Sequence, residues 1–202
     1  MSGVCVNFTH QATPEAILSS FGASAECLEE ITLEQAQEAL GPPSNHSLVR
    51  AGTSGDWGFC IETFGGISVC RDVLAELSSR SRSITASCGA DAFHVVASWQ
   101  NGEEVETFEP GYRPSLRAKN LHPLWDETDM VSSRNPGVSA IVAAFSAISD
   151  KTGVSIPFEL AAGPLLSGVA PVRGSTTRNQ ENGARENLGR KLPGLQFPSV
   201  SE

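Results

Sequence analysis

The sequence predicts an α+β fold: a mainly antiparallel sheet of about five or six strands with helices packed on one face. Short segments in which apolar and polar residues alternate indicate the strands. Capping residues followed by apolar stripes indicate the helices. An Asn-Gly pair between two neighbouring alternating segments favours an antiparallel hairpin.

The N-terminal part predicts a strand followed by two helices. Apolar residues alternate with polar ones over residues 4–8, which suits a short strand. Thr13 can cap a helix whose first residue is Pro14. Thr32 and Gln35 have the spacing of a capping box, so a second helix is expected from there to about residue 40.

The central part predicts two more strands and a helix. Residues 47–51 form one strand, and residues 57–62 form another. Side chains alternate along a strand, so one face carries Trp57, Phe59 and Ile61, and the other carries Gly58, Cys60 and Glu62. We assign the aromatic face to the core. A helix is expected from Ser68 to Leu77, where apolar residues recur at helical spacing.

Three further strands are predicted over residues 83–88, 93–99 and 105–108. The last two would form a hairpin around Asn101 and Gly102.

The loop length decides the register of this hairpin. A two-residue loop would place Trp99 opposite Glu104. A three-residue loop would place Ala97 opposite Val105 and leave Glu104 and Glu106 together on the wetter face. We favour the three-residue loop, because a slip of one residue turns the apolar set outward.

The C-terminal part predicts helices and then a tail. Residues 112–134 have an irregular pattern. The clearest apolar face begins after Asn135 and ends at Gly153, and a short helix follows over residues 157–166. Residues 173–202 contain few large apolar side chains and are predicted to be disordered. The expected organisation is one α+β domain over residues 1–172 and this tail.

The charge distribution bounds the class of partner. The chain carries a net charge of -9, yet residues 173–202 hold five basic and three acidic residues, so residues 1–172 carry -11. Nucleic-acid binding rests on clustered Lys and Arg, so a nucleic-acid partner is not expected. A basic protein partner fits an acidic surface.

Acidic residues without cations are concentrated near the N-terminus. No Lys or Arg lies between residues 15 and 38. We assign an interaction surface to Glu26, Glu29, Glu30, Glu34 and Glu38. The alternative is a solvated helical face that serves solubility. The segment lacks the spacing of a calcium-binding loop.

Cysteine usage and hydropathy bear on the compartment. The five cysteines show no C-x-x-C spacing, and the N-terminus lacks the pattern of a signal peptide. No apolar run approaches the roughly 20 residues that a membrane span needs. We therefore expect a cytoplasmic protein with reduced thiols and no membrane partner.

No strong catalytic or ligand motif is present. The sequence lacks the phosphate-binding, dinucleotide-binding and nucleophile-elbow patterns. The four histidines, His10, His46, His94 and His122, have no paired spacing. Neither a metal ion nor a cofactor is predicted.

One alternative pocket can still be drawn from the sequence. Cys60 would be a nucleophile beside Glu62, with His94 from a nearby strand as its base, because a thiolate needs such a partner. Otherwise Cys60 is inert core packing, and Glu62 pairs with Arg50 or Arg71.

Several short motifs together resemble a bacterial domain family of unknown function. They include Thr13-Pro14-Glu15, Gly55-Asp56-Trp57-Gly58 and Phe108-Glu109-Pro110, in a layout covering about residues 4–165. The resemblance implies no established activity and no catalytic residues. The size, charge and layout also resemble those of immunity proteins that neutralise toxins, which is an analogy of layout rather than of a site.

The resulting hypothesis is a non-enzymatic protein-interaction domain, with an immunity-like role in neutralising a toxin. The alternative is a small enzyme with the Cys60, Glu62 and His94 pocket. A third possibility is an accessory domain of a larger assembly, which would expose an apolar patch. The sequence leaves the oligomeric state open.

Overall fold

The computed structural model describes residues 3–39, 46–63, 66–89, 94–112 and 122–171. Within these ranges the strands are β1 Val4–His10, β2 Glu29–Ile31, β3 His46–Ser54, β4 Trp57–Thr63, β5 Arg82–Cys88, β6 His94–Gln100, β7 Glu103–Phe108 and β8 Leu165–Pro171. The helices are α1 Pro14–Ser20, α2 Leu33–Ala39, α3 Arg71–Leu77, α4 Pro123–Arg134, α5 Ala140–Thr152 and α6 Phe158–Ala162. Two 3-10 turns span Ala25–Cys27 and Ile67–Val69.

The described strands form one antiparallel sheet in the order β2-β8-β3-β4-β1-β5-β6-β7. The α+β class and the antiparallel pairing are confirmed, but the sheet has eight strands rather than five or six. The two missed strands are β2 and β8. β2 has only three residues, and β8 contains Ser, Gly and Pro, which strands usually avoid.

Helices cover both faces of the sheet, so the prediction of one covered face was wrong. One core, built around Phe59, packs the sheet against α4 and α5. The other, built around Cys60, packs it against α1 and α3. We call these the α4/α5 face and the α1/α3 face. Phe59 and Cys60 are neighbours in β4, and both are fully buried.

Hydrogen-bonded polar side chains explain why the second covered face was not predicted. Asn7 Nδ2 donates to Ser83 Oγ at 2.7 Å and to Thr85 Oγ1 at 2.6 Å, and Thr9 Oγ1 donates to Asn7 Oδ1 at 2.8 Å. These four residues are buried under the helices of the α1/α3 face. Because these polar residues alternate with apolar ones, the sequence pattern predicted a solvent-exposed face. Burial is tolerated because each group is paired with another.

The hairpin of β6 and β7 differs from the predicted register. Its loop has two residues, Asn101 at φ 53° and Gly102 at φ 80°, as a type I′ turn requires. Trp99 therefore lies opposite Glu104, the register that we did not favour. A bulge then shifts the pairing, so that Ser98 lies opposite Glu106. The bulge turns the Glu106 side chain to the α4/α5 face, where it is 2% exposed. The prediction that Glu106 lies on the wetter face was therefore wrong.

The alternation predicted for β4 is confirmed. Trp57 and Ile61 pack partly buried around Phe59 in the core of the α4/α5 face. On the other face, Gly58 lies against the backbone carbonyl of Ala12. An added Cβ at this glycine would overlap that carbonyl, so the close approach of the chain after β1 requires glycine here.

Local signals predicted most helix ends correctly. The Thr13 hydroxyl accepts the Ala16 N–H at 3.3 Å. Thr32 and Gln35 form the predicted capping box, with reciprocal hydrogen bonds of 2.8 Å and 3.3 Å. Gly153 ends α5 in the left-handed region at φ 72°.

The C-terminal part of the fold differs from its prediction in two elements, α4 and α6. The predicted irregular region contains α4. The predicted helix over residues 157–166 stops at Ala162, and the chain then enters β8. The predicted disordered tail, residues 173–202, lies outside the described residues. No helix in the described ranges is long and apolar enough to cross a membrane.

Candidate functional site

The sheet does not bring the three residues of the alternative pocket together. Asn7 lies opposite Cys60 on one side and Thr85 on the other, and Thr85 lies opposite Ala97. These paired residues share the α1/α3 face. His94 precedes Ala97 by three residues and therefore points to the α4/α5 face, with strands β1 and β5 between it and β4. His94 cannot act as a base for Cys60 in this fold.

Burial keeps the Cys60 thiol protonated. The residue is fully buried, and burial raises its pKa well above the usual value, with Cys5 and Glu62 adding in the same direction. Burial, and then the charge of Glu62, also raises the pKa of Cys5 to about 12. A reactive thiolate needs the opposite shift. Glu62 therefore opposes activation of both thiols rather than assisting it.

Glu62 is fully buried and serves as an acceptor for the turn that follows β4. Its Oε1 accepts the Ser47 hydroxyl at 2.7 Å and the Ile67 N–H at 3.1 Å. Its Oε2 accepts the Ser68 N–H at 2.7 Å. The carboxylate thereby satisfies the N–H groups of Ile67 and Ser68 in the 3-10 turn ahead of α3. The carboxylate thus fixes the entry of the chain into α3.

Glu106 has a similar role on the other face, which the sequence did not predict. Its two oxygens accept the Leu124 N–H at 2.9 Å and the Trp125 N–H at 3.3 Å, in the first turn of α4. The positive end of the helix dipole also stabilises a carboxylate at this position. The cap comes from a strand 18 residues earlier in the chain. Local capping rules contain no signal for it.

Arg50 does not pair with Glu62, because the two lie on opposite faces. Arg50 lies opposite Ile61, whereas Glu62 lies opposite Val49. Its guanidinium is buried and donates to the carbonyls of Ala161 at 2.8 Å and Gly163 at 2.6 Å. Burial lowers the pKa of Arg50. The cation binds the C-terminal end of α6, where helix carbonyls lack partners. The other predicted partner, Arg71, contacts Glu104 at 3.9 Å instead.

The cysteine opposite His94 is Cys88, not Cys60. They are paired residues of β5 and β6 on the α4/α5 face, and both are half-buried. Residues directly opposite each other in an antiparallel pair have Cβ atoms about 4.5–5.5 Å apart. A histidine and a thiol are thus neighbours at the end of the sheet, although sequence reasoning chose another cysteine. The alternation of residues in β5 predicts the face on which Cys88 lies. Only the register between β5 and β6 shows that Cys88 is opposite His94.

The predicted interaction surface lies at one edge of the sheet. Its members belong to the 3-10 turn Ala25–Cys27, the edge strand β2 and helix α2, which follow each other in the chain. We call Glu26, Glu29, Glu30, Glu34 and Glu38 the acidic edge. All are exposed except the half-buried Glu29. No ion pair involves any of them within the described residues.

The described part of the chain contains no group of three or more His, Cys, Asp or Glu residues that could hold a metal ion. None of the five cysteines, all within the described ranges, forms a disulfide. The candidate groups described above are the buried Glu62 and Glu106, the Cys88–His94 pair and the acidic edge.

Comparison with protein families identifies the chain. The model of a family of unknown function, DUF6461, matches residues 1–133. The chain belongs to DUF6461. No curated protein and no solved structure matches it.

The DUF6461 match ends inside α4, earlier than the resemblance over residues 4–165 suggested. It contains Glu62, Glu106 and the acidic edge. It leaves out α5, α6 and β8. β8 is nevertheless the strand that joins β2 to the rest of the sheet. In this member of the family, the position of the acidic edge therefore depends on a strand outside the matched segment.

Proposed function

We propose that this DUF6461 protein is a non-catalytic domain that binds a basic protein through its acidic edge. The observation that carries the proposal is that no described residue forms an ion pair with the acidic edge and that no cation lies near it in the sequence. Residues 1–49 contain no Lys or Arg, so the first cation in the chain is Arg50. Arg50 is itself buried and donates to backbone carbonyls, including that of Ile31 in β2 at 3.4 Å.

The electrostatic consequence is mutual repulsion among these carboxylates. Negative charges that lack nearby cations repel one another by a few tenths of a kcal/mol per neighbouring pair on a helix. A basic partner would relieve this repulsion. It would also be steered toward the edge, because complementary charge raises association rates. Glu34 and Glu38 lie one helical turn apart on α2 and are both exposed, so they are well placed for such contacts.

The same charges have a second physical effect. Edge strands present unpaired backbone groups, and charged side chains discourage two edges from pairing. The opposite edge strand, β7, also carries exposed glutamates, Glu103 and Glu104. If the glutamates only protected the edges, charge reversal at either edge would have the same effect on partner binding. Partner binding at the acidic edge would make the two effects differ, and this difference is the basis of the test.

The positions of the reactive groups support a non-catalytic role. Cys60 is a fully buried thiol with a raised pKa, and Glu62 already accepts three hydrogen bonds. The proposed setting is cytoplasmic, where the thiols stay reduced. The proposed role there is neutralisation of a basic toxin, since covering a cationic site needs only a complementary surface.

The test compares charge reversals at the two edges. Tagged chain is purified from the cells that naturally produce it, as wild type, as Glu34→Lys/Glu38→Lys and as the control Glu103→Lys/Glu104→Lys on β7. Both double variants change the charge equally at exposed positions. We expect wild type and control to retain a basic protein in stoichiometric amount. The acidic-edge variant should bind that protein about tenfold more slowly, as loss of steering charges predicts.

Surface plasmon resonance with the retained protein measures the association rate at low and physiological salt. The difference between wild type and the acidic-edge variant should shrink as salt rises. Equal binding by the two double variants would contradict the proposal. So would the recovery of no stoichiometric partner with wild type.

A further inference from the structure

A cavity of about 410 Å³ lies over the centre of the sheet, on the α4/α5 face. Its floor consists of Val6 and Phe8 from β1 and Ile61 from β4. These strands are neighbours in the middle of the strand order. Val6 and Ile61 are only partly buried, although they lie on central strands of the sheet.

The cavity exists because two helical segments cover the sheet from opposite sides. On one side α5 packs against β5. On the other side Arg50 of β3 holds the end of α6 through the carbonyls of Ala161 and Gly163. Among the described residues, no helix covers the sheet over β1 and β4 between these anchors. The walls come from α5, from the segment after it and from α6: Val142, Phe145, Val154, Ile156 and Ala161.

The described lining is mostly apolar, and several of its polar atoms already make hydrogen bonds within the chain. None of the lining residues in the described part of the chain is ionisable, and the remaining three are serines. Ser146 donates to the Val142 carbonyl at 3.1 Å, and Ser149 donates to the Val154 carbonyl at 2.7 Å. The carbonyl of the third, Ser155, accepts the Ser54 hydroxyl at 2.9 Å. A charged or strongly polar occupant would therefore lose its hydration without gaining partners.

We propose that this cavity binds an uncharged aliphatic molecule. The volume lies within the range of about 300–1,000 Å³ that is usual for small-ligand sites. A peptide occupant is disfavoured, because its backbone N–H and C=O groups would lack partners here. The cavity also lies away from both sheet edges, so a peptide could not add as a strand. This binding site is independent of the acidic edge.

The probe pair 1-decanol and decanoate tests the chemistry of the site. Decanol is added to the full chain, and thermal unfolding and titration calorimetry are measured. At about ten times its Kd, decanol should raise Tm by about 3–6 °C for a protein of this size. Decanoate at neutral pH should bind at least about tenfold more weakly, because its charge finds no cation in the lining. Equal binding of the two probes, or no binding of decanol, would overturn the proposal.

A pair of valine substitutions tests the location. Val142→Trp adds bulk at a wall residue that is 50% exposed, so the fold should tolerate it. Val105→Trp is the control, since Val105 is 47% exposed and lies on the edge strand β7. Val142→Trp should weaken decanol binding about tenfold or more, and the control should not change it.

Two outcomes would contradict this location. In the first, the two variants bind decanol equally, which would mean that the probe binds elsewhere. In the second, sedimentation shows that decanol dissociates a dimer, which would mean that a second copy of the chain covers the cavity.

Discussion

Replacement of Glu62 by glutamine tests whether a buried carboxylate holds the turn between β4 and α3. The substitution keeps the shape of the side chain and removes its charge. One oxygen becomes an amide nitrogen, which can donate but not accept. Both carboxylate oxygens accept backbone N–H groups, from Ile67 on one side and Ser68 on the other. Either orientation of the amide therefore places two donors against each other.

The magnitude follows from these contacts. A hydrogen bond to a charged group contributes about 1.5–3 kcal/mol, and a buried donor without a partner costs about 1–3 kcal/mol. The Ser47 hydroxyl can rotate and accept a hydrogen bond from the new amide, so little stability is lost at this contact. A neutral side chain is also less costly to bury than a carboxylate, which offsets part of the loss. We expect Glu62→Gln to lower the free energy of unfolding by about 1–3 kcal/mol.

Urea unfolding at pH 7 and thermal unfolding measure the effect. For a chain of this size each kcal/mol corresponds to about 2–4 °C in Tm. The matched control is Glu104→Gln. Its carboxylate is 40% exposed and lies 3.9 Å from Arg71, so the change should stay within about 0.5 kcal/mol. Hydrogen exchange should show faster opening of the Ile67 and Ser68 amides in Glu62→Gln.

The reasoning is refuted if Glu62→Gln is as stable as wild type and the two amides remain protected. That result would mean that the cost of burying the carboxylate equals or exceeds the value of its hydrogen bonds.

Two further predictions concern the α1/α3 face. Gly58→Ala should destabilise the fold by about 2 kcal/mol or more, because the new Cβ meets the Ala12 carbonyl; Gly66→Ala, where the Cβ has open space, is the control. Similar unfolding midpoints for both would contradict this. Because the folded-state pKa of Cys5 is raised to about 12, its contribution to stability is full below pH 9 and is lost as the pH rises toward 12. Urea unfolding between pH 9 and 11 measures how the free energy of unfolding falls with pH. The fall should be smaller by about 1.4 kcal/mol per pH unit in Cys5→Ala than in wild type, and equal pH dependence in the two proteins would exclude this linkage.

The parts of the fold that could be predicted depend on neighbours in sequence. The alternation in β4, the Thr13 cap and the capping box of α2 all arise within a few residues. The missed helix α4 shows the limit. Its local apolar pattern is weak, and its first turn is capped by Glu106, a residue of another strand. A pattern-based prediction cannot include a partner that only the fold brings near.

The candidate site follows the same division. The acidic edge could be predicted as a group, because its residues are close in the chain. The proposed Cys60–His94 pair was wrong, since side-chain parity within each strand is local but the register between strands is not. His94 lies opposite Cys88 instead. The apolar cavity combines β1 and β4 with α5 and the residues after it, so no single segment could indicate it.

The sequence by itself determined the α+β class, the antiparallel strands with strong alternation, the charge of the acidic edge and the face of each side chain in β4. Only the tertiary structure decided that both faces are buried, that β8 joins β2 to the sheet and that a bulge turns Glu106 inward. The physical reason is the treatment of buried polar groups. A polar side chain in a strand indicates a solvent-exposed face, unless a hydrogen-bond partner allows the side chain to be buried. Asn7, Glu62 and Glu106 all have such partners, and each of the three has at least one from another segment of the chain.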